Sequence, residues 1–151
     1  MIFNNVKGHP DARVAIGVLA SRKRVGALLG TEPENLGKLL AGSVDNPVPP
    51  DLSEESAPCQ EVVHLASDPD FDLYKLVPAP TNTPHYAGPY ITILMCYATH
   101  PDTGRNDVTI HRLCIQGKNE LSIFFTPGAR LSVAMAERDD ELGQRLPFSI
   151  C

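Results

Sequence analysis

Residues 107–112 read Asp-Val-Thr-Ile-His-Arg, so one short stretch carries a carboxylate, a hydroxyl, an imidazole and a guanidinium. Each of these groups can bind an anion or a metal, or hold a proton. Alternation of polar and β-branched residues gives the stretch the period of a strand, with Asp107, Thr109 and His111 on one face and Val108, Ile110 and Arg112 on the other. One face then meets a core, and the other is either a site or an ordinary polar surface.

Two further strands are expected to hold this one. Residues 90–99 are rich in β-branched and aromatic side chains, and the His-Pro-Asp-Thr-Gly-Arg run at 100–105 has the chemistry of a hairpin loop. Gly117, Lys118 and Asn119 make a second turn before the apolar residues 121–125. The pattern predicts an antiparallel meander with strands near 90–99, 107–116 and 121–126, then a helix near 129–142 opened by Pro127 and Gly128 and ended by Gly143. Leu131, Ala134, Met135 and Leu142 would share its inner face. Glu137 and the acids around it are expected to be solvated. Residues 146–151 read as one more strand, either paired internally at an edge or continued by further chain.

Ahead of the meander the sequence favours helices. A strand is expected at 1–6, then a turn delivering Asp11 as the N-cap of a helix from Ala12 whose dense apolar positions imply burial on more than one side. Ser21 restarts a helix that Gly30 stops, and Thr31 with Glu34 resembles a capping box for a third helix ending near Ala41. Residues 43–58, with Pro47, Pro49, Pro50 and Pro58, read as an extended connector. A short strand at 61–65 and a helical turn within 68–76 complete this part. His64 reads as a structural histidine, and His9, His85 and His100 lie in turn-like contexts.

Composition limits the partners. The 151 residues carry a formal net charge of −5, against sequence-independent binding to nucleic acid or an acidic membrane. No signal peptide is evident and no apolar run approaches the roughly 20 residues that cross a bilayer. Cysteines at 59, 96, 114 and 151 show no metal-type spacing and read as reduced core thiols of a cytoplasmic protein.

Several segments together resemble the UbiD family of non-oxidative decarboxylases. They are Pro-Ala-Pro at 78–80, Ala-Gly-Pro-Tyr-Ile-Thr at 87–92, residues 107–112, Gly-Lys-Asn at 117–119, Thr-Pro-Gly-Ala-Arg-Leu at 126–131 and Leu-Pro at 146–147. Residues 3–8, 20–22 and 27–30 are similar to the family's N-terminal lobe, so the resemblance covers nearly the whole chain. It implies an α+β fold: a helix-rich N-terminal lobe at 1–76 followed at 77–151 by the first part of an antiparallel split β-barrel that binds flavin.

The resemblance also implies a chemistry. Family members decarboxylate unsaturated or aromatic acids with prenylated FMN, which supplies the electron sink, while a divalent metal, usually manganese, and potassium sit at its phosphate. Arg112 matches the catalytic arginine, Ile110 the residue whose backbone touches the flavin, Asp107 a metal-binding asparagine and Arg130 a metal-binding histidine. Ala129 replaces a polar cofactor neighbour. The third metal ligand and two catalytic glutamates, one of them the proton donor, match positions beyond residue 151. The chain is therefore expected to be part of a decarboxylase, completed by its C-terminal part or a complementary subunit in a homo- or hetero-oligomer, and inactive alone. Two alternatives stand: a catalytically inactive scaffold subunit with a decayed cofactor site, for which Asp107 and Arg130 argue, and a split-barrel flavin module for electron transfer.

Overall fold

The structure is a computed structural model in which residues 1–49, 51, 57–125 and 131–151 are described. They form two compact units, Met1–Leu65 and Ala66–Cys151.

The first unit is thinly packed. β1 (Ile2–Phe3) pairs antiparallel with β2 (Val14–Ala15). The helix expected from Ala12 is absent, and the reason lies in the spacing: Val14, Ile16 and Val18 step by two, a strand period, and are β-branched. Gly17 then takes a positive φ of 65° that turns the chain. α1 (Arg22–Leu28) begins where Ser21 accepts a hydrogen bond from the Arg24 amide, and it stops at Leu29 before Gly30, whose φ is 66°. The carbonyl of Gly17 accepts a hydrogen bond from the Arg24 guanidinium. Gly26 is a close-approach position, since a Cβ there would lie 2.6 Å from the Thr31 carbonyl oxygen.

The capping box expected at Thr31 does not form. Pro33–Asn35 is a 3-10 turn entered through Glu32 with no side-chain cap, and α2 (Leu36–Asp45) follows it, running past Ala41 and into the start of the expected connector. Pro58–Gln60 is a second 3-10 turn. The strand expected at 61–65 is absent: Val62, Val63 and Leu65 are exposed and join no ladder.

The second unit contains the expected meander. β3 (Tyr90–Thr99), β4 (Asn106–Ile115), β5 (Leu121–Ile123) and β6 (Phe148–Ile150) form one antiparallel sheet in the order β5-β4-β3-β6. The hairpin between β3 and β4 closes through the His100 amide to the Arg105 carbonyl at 2.8 Å, with Gly104 at φ 66°. Residues 146–151 supply the internally paired edge strand, β6, which lies against Cys96, Tyr97 and Ala98. α3 (Leu73–Leu76) is capped by the buried Asp72 and tied to the β4–β5 turn by the Leu73 amide bonding the Lys118 carbonyl at 2.8 Å.

Parity in the strands decides which side is core. Cys96, Ala98, Thr109, Leu113 and Ile115 are buried on the face that α4 (Leu131–Glu141) covers. From α4 this core receives Met135, fully buried, but not Leu142, which is 41% exposed. Asp139 corrects the expectation of a solvated acidic face: it is only 4% exposed, and its Oδ2 has no hydrogen-bond partner among the described residues. All four cysteines are free, yet only Cys96 and Cys114 are core thiols; Cys59 and Cys151 are exposed. No helix among the described residues is long and apolar enough to cross a membrane.

Candidate active site

The open face of β3 and β4 inverts ordinary amphipathic order. Met95 stands opposite Ile110 and Tyr97 opposite Val108, and all four are exposed. The polar members of β4 point the other way: Asp107 pairs with Ala98, Thr109 with Cys96 and His111 with Leu94 on the core side. A monomeric surface seldom presents a contiguous apolar strip without something to cover it.

Arg112 stands at the end of this strip. The ladder shifts register between Ile91 and Leu94, so that Thr92 and Ile93 together oppose the single Arg112. Ile93 takes a φ of 60°, a left-handed conformation that a β-branched residue adopts only under strain. Beside the bulge is a pocket of about 330 Å³ whose lining includes Tyr86, Tyr90, Thr92, Arg112, Ser122 and Phe124. In the sheet the buried Cys114 is flanked in register by two of these lining residues, Tyr90 on one side and Ser122 on the other. Gly88 lets the covering segment lie close, since a Cβ there would meet Cys114 Sγ and the Ile115 carbonyl oxygen at 3.2 Å.

The electrostatics of the pocket are one-sided. Arg112 makes no hydrogen bond or ion pair with a described residue, and the described lining residues include no carboxylate. Four of the lining residues, Tyr86, Tyr90, Thr92 and Ser122, bring hydroxyls. Tyr86 and Tyr90 meet edge to face with centroids 5.1 Å apart. Desolvation first, and then the neighbouring Cys114 thiol, push the Tyr90 phenol above its ordinary pKa, while Arg112 pulls it back in part. Tyr90 is thus a neutral hydrogen-bond donor near pH 7.

The residues singled out from sequence separate into two groups. Ile110 and Arg112 lie two residues apart on the open face, where one planar ligand can touch both. Asp107 is half-buried on the opposite face, five residues or roughly 17 Å along the strand from Arg112. Arg130 lies outside the described residues. Sequence reasoning missed Tyr86, Phe124 and Ser122 as lining; Tyr90 and Thr92 lay inside a quoted motif but were given no role. His111 faces inward, meets the Phe125 ring edge-on at 5.2 Å and keeps a buried Nε2 with no described partner.

With this geometry known, the relatives are informative. Residues 51–151 match the family model described as the 3-octaprenyl-4-hydroxybenzoate carboxy-lyase Rift-related domain, and residues 1–52 match the N-terminal domain of the same carboxy-lyase. The chain belongs to the UbiD family. It is 45% identical over 151 residues to a gallate decarboxylase of Lactiplantibacillus plantarum, covering 99% of this chain and 31% of that one. The apo structure of a 3,4-dihydroxybenzoic acid decarboxylase from Enterobacter cloacae superposes with a TM-score of 0.91 at 45% identity, again over 99% of this chain and 31% of the other. An evolved dimeric form of the UbiD-class enzyme HmfF from Pelotomaculum thermopropionicum, in complex with prFMN, gives 0.86 at 32% identity over 99% and 34%.

The chain spans about a third of the length of these relatives. Its α+β architecture, with an antiparallel sheet forming part of a split barrel, is the one that UbiD-class enzymes share. The donor set on its open face fits a flavin ring with an acid beside it: an apolar strip, a cation and several hydroxyls. A metal finds less. Among the described residues no three His, Cys, Asp or Glu side chains converge, so they do not by themselves make a metal shell.

Proposed function

We propose that this UbiD chain forms part of a non-oxidative decarboxylase acting on an unsaturated or aromatic carboxylic acid through prenylated FMN. Hydroxylated benzoates are the first class to test, given the relatives that act on gallate and 3,4-dihydroxybenzoate. The observation that carries the reading is Arg112, a guanidinium without a described ionic partner in a pocket walled by aromatic rings. Such a site is matched by a planar acid whose carboxylate takes both prongs of the guanidinium.

In this reading Ile110 lies against the flavin, and prenylated FMN, when bound, accepts the electron pair left as the carboxyl carbon departs. The chain's own residues do the positioning. Arg112 fixes the carboxylate, while Tyr86, Tyr90 and Phe124 flank the ring and keep water from it. The ring carbon that loses carbon dioxide must gain a proton, which we assign to a group outside these 151 residues. Manganese and potassium enter only at the phosphate, with Asp107 as one ligand, the remainder from other parts of the enzyme, and Arg130 as a direct phosphate partner. The reading includes a lobe boundary near residue 76, an oligomeric assembly and a cytoplasmic location.

The test is carbon dioxide release from benzoates with added prenylated FMN, first by this chain alone and then with the remaining polypeptide co-expressed. Turnover is expected only in the second case. Turnover by the lone chain overturns the assignment of the proton donor. An assembly that binds neither flavin nor acid is instead a scaffold subunit.

A further inference from the structure

The bulge in β3 does more than kink the strand. Ile91 pairs with Leu113 and Leu94 pairs with His111, so three steps on β3 match two on β4. Counting back from Leu94 in strict alternation would put Tyr90 on the core face with it. The extra residue reverses the parity, so Ile91 packs toward the core and Tyr90 emerges on the face of Arg112. The strained φ of Ile93 marks where this reversal is made.

Three observations make Tyr90 more than an incidental wall. Its backbone is fixed on both sides, by the amide bonding the Pro80 carbonyl at 3.1 Å and by pairing with Cys114. Its ring is braced edge-on by Tyr86. Its position is diagonal to Arg112 on one sheet face, where the backbones of such neighbours lie about 7–8 Å apart, and both side chains line the same pocket. A ring whose carboxylate is held by Arg112 thereby brings a hydroxyl toward Tyr90.

We propose that Tyr90 is a specificity-determining residue: its phenol, delivered to the face of Arg112 by the bulge, hydrogen-bonds a ring hydroxyl of the aromatic acid. This rests on the decarboxylase reading and assigns within it the residue that reads the ring hydroxyl. The Tyr90 phenol and the substrate hydroxyl each carry a donor and an acceptor, so the bond between them can form in either sense. Once a bound ring shuts water out of the pocket, a phenol left with only the weak Cys114 thiol as partner is penalised relative to one that also bonds a ring hydroxyl, so the acid lacking the hydroxyl is disfavoured.

The full-length enzyme, loaded with plain FMN so that turnover does not intervene, is titrated with benzoate, 4-hydroxybenzoate and 3,4-dihydroxybenzoate. Wild type is expected to prefer the hydroxylated acids. Tyr90→Phe should weaken those by about tenfold and leave benzoate unchanged, whereas Arg112→Gln should weaken all three alike. Deletion of Ile93, which restores strict alternation, should abolish the preference as Tyr90→Phe does; if that protein does not fold, Tyr90→Phe decides alone. Equal changes for all three acids in Tyr90→Phe, or none, overturn the proposal, the former being what a merely structural tyrosine gives. Failure of wild type to bind any benzoate is a different result and removes the decarboxylase reading together with the proposal.

Discussion

The two faces of the β3–β4 pair place polar and apolar side chains against the usual order. On the face under α4, Thr109 and His111 sit among Cys96, Ala98 and Leu113, and Asp107 is half-buried beside them. On the other face Met95, Tyr97, Val108 and Ile110 stand open, with Arg112 beyond them. A sheet built only for stability would exchange these sets, since burying polar groups costs unless each is hydrogen-bonded. The inversion fits an apolar partner on the open face, while the core face tolerates polar groups such as His111 Nε2, which has no hydrogen-bond partner among the described residues.

Truncation separates the faces most sharply. Leu113 is 1% exposed and Ile110 is 67% exposed. Leu113→Ala should destabilise the full-length protein by about 3 kcal/mol through lost burial and a cavity. Ile110→Ala, in the absence of flavin, should stay within about 0.5 kcal/mol of wild type. Denaturant midpoints measure both. Similar losses would mean that the open face is packed in solution, and the contrast would be gone.

Activity should divide the faces in the reverse sense. Arg112→Lys replaces a two-pronged grip by a point charge and should lower turnover of the completed enzyme on the order of 100-fold, with unfolding unchanged. A stability loss comparable to that of Leu113→Ala would instead make Arg112 a structural residue.

What the sequence disclosed follows from how local each cause is. The meander was legible because β-branched alternation at 90–99 and 107–115 and turn chemistry at 100–105 are local signals. α1 was legible from Ser21 and Gly30 for the same reason. Val14, Ile16 and Val18 combine a hydrophobic density that suggests a buried helix with a period of two that prevails, and residues 61–65 look like a strand in composition but form none in the structure. The bulge was invisible, since only the ladder to β4 shows that Thr92 and Ile93 share one partner. Hence Arg112 was found from its motif, whereas the role of Tyr90 needed the register. The expected start of α4 and the position of Arg130 fall outside the described residues.

The bulge offers a smaller test of the same contrast. Ile93 is exposed, so Ile93→Gly loses little burial and relieves a left-handed conformation that costs an L residue roughly 1–2 kcal/mol. Glycine's extra chain entropy takes back about 0.5–1 kcal/mol. A net gain of about 0.5 kcal/mol is expected, while Ile91→Gly, two positions earlier on the core side, should lose well over 1 kcal/mol. Measured melting temperatures that fall for both would show that Ile93 is not strained.

The smallest effect concerns the end of the pair remote from Arg112. Asp102, in the β3–β4 loop, accepts a 2.7 Å hydrogen bond from Arg138 Nε on α4, and Arg138 also reaches Glu141 at 3.1 Å. The hydrogen bond from Arg138 holds the Asp102 carboxyl below its ordinary pKa. A carboxylate lowered in the folded state stabilises that state fully above its unfolded value, about 3.9, and loses the contribution as pH falls through the lower folded value. Both partners are solvent-exposed, so salt should weaken the effect. In Asp102→Asn the difference in melting temperature from wild type should be largest near neutral pH and shrink as pH falls below the unfolded value through the lower folded one. A difference independent of pH would mean that the loop is held to α4 by its backbone and not by this ion pair.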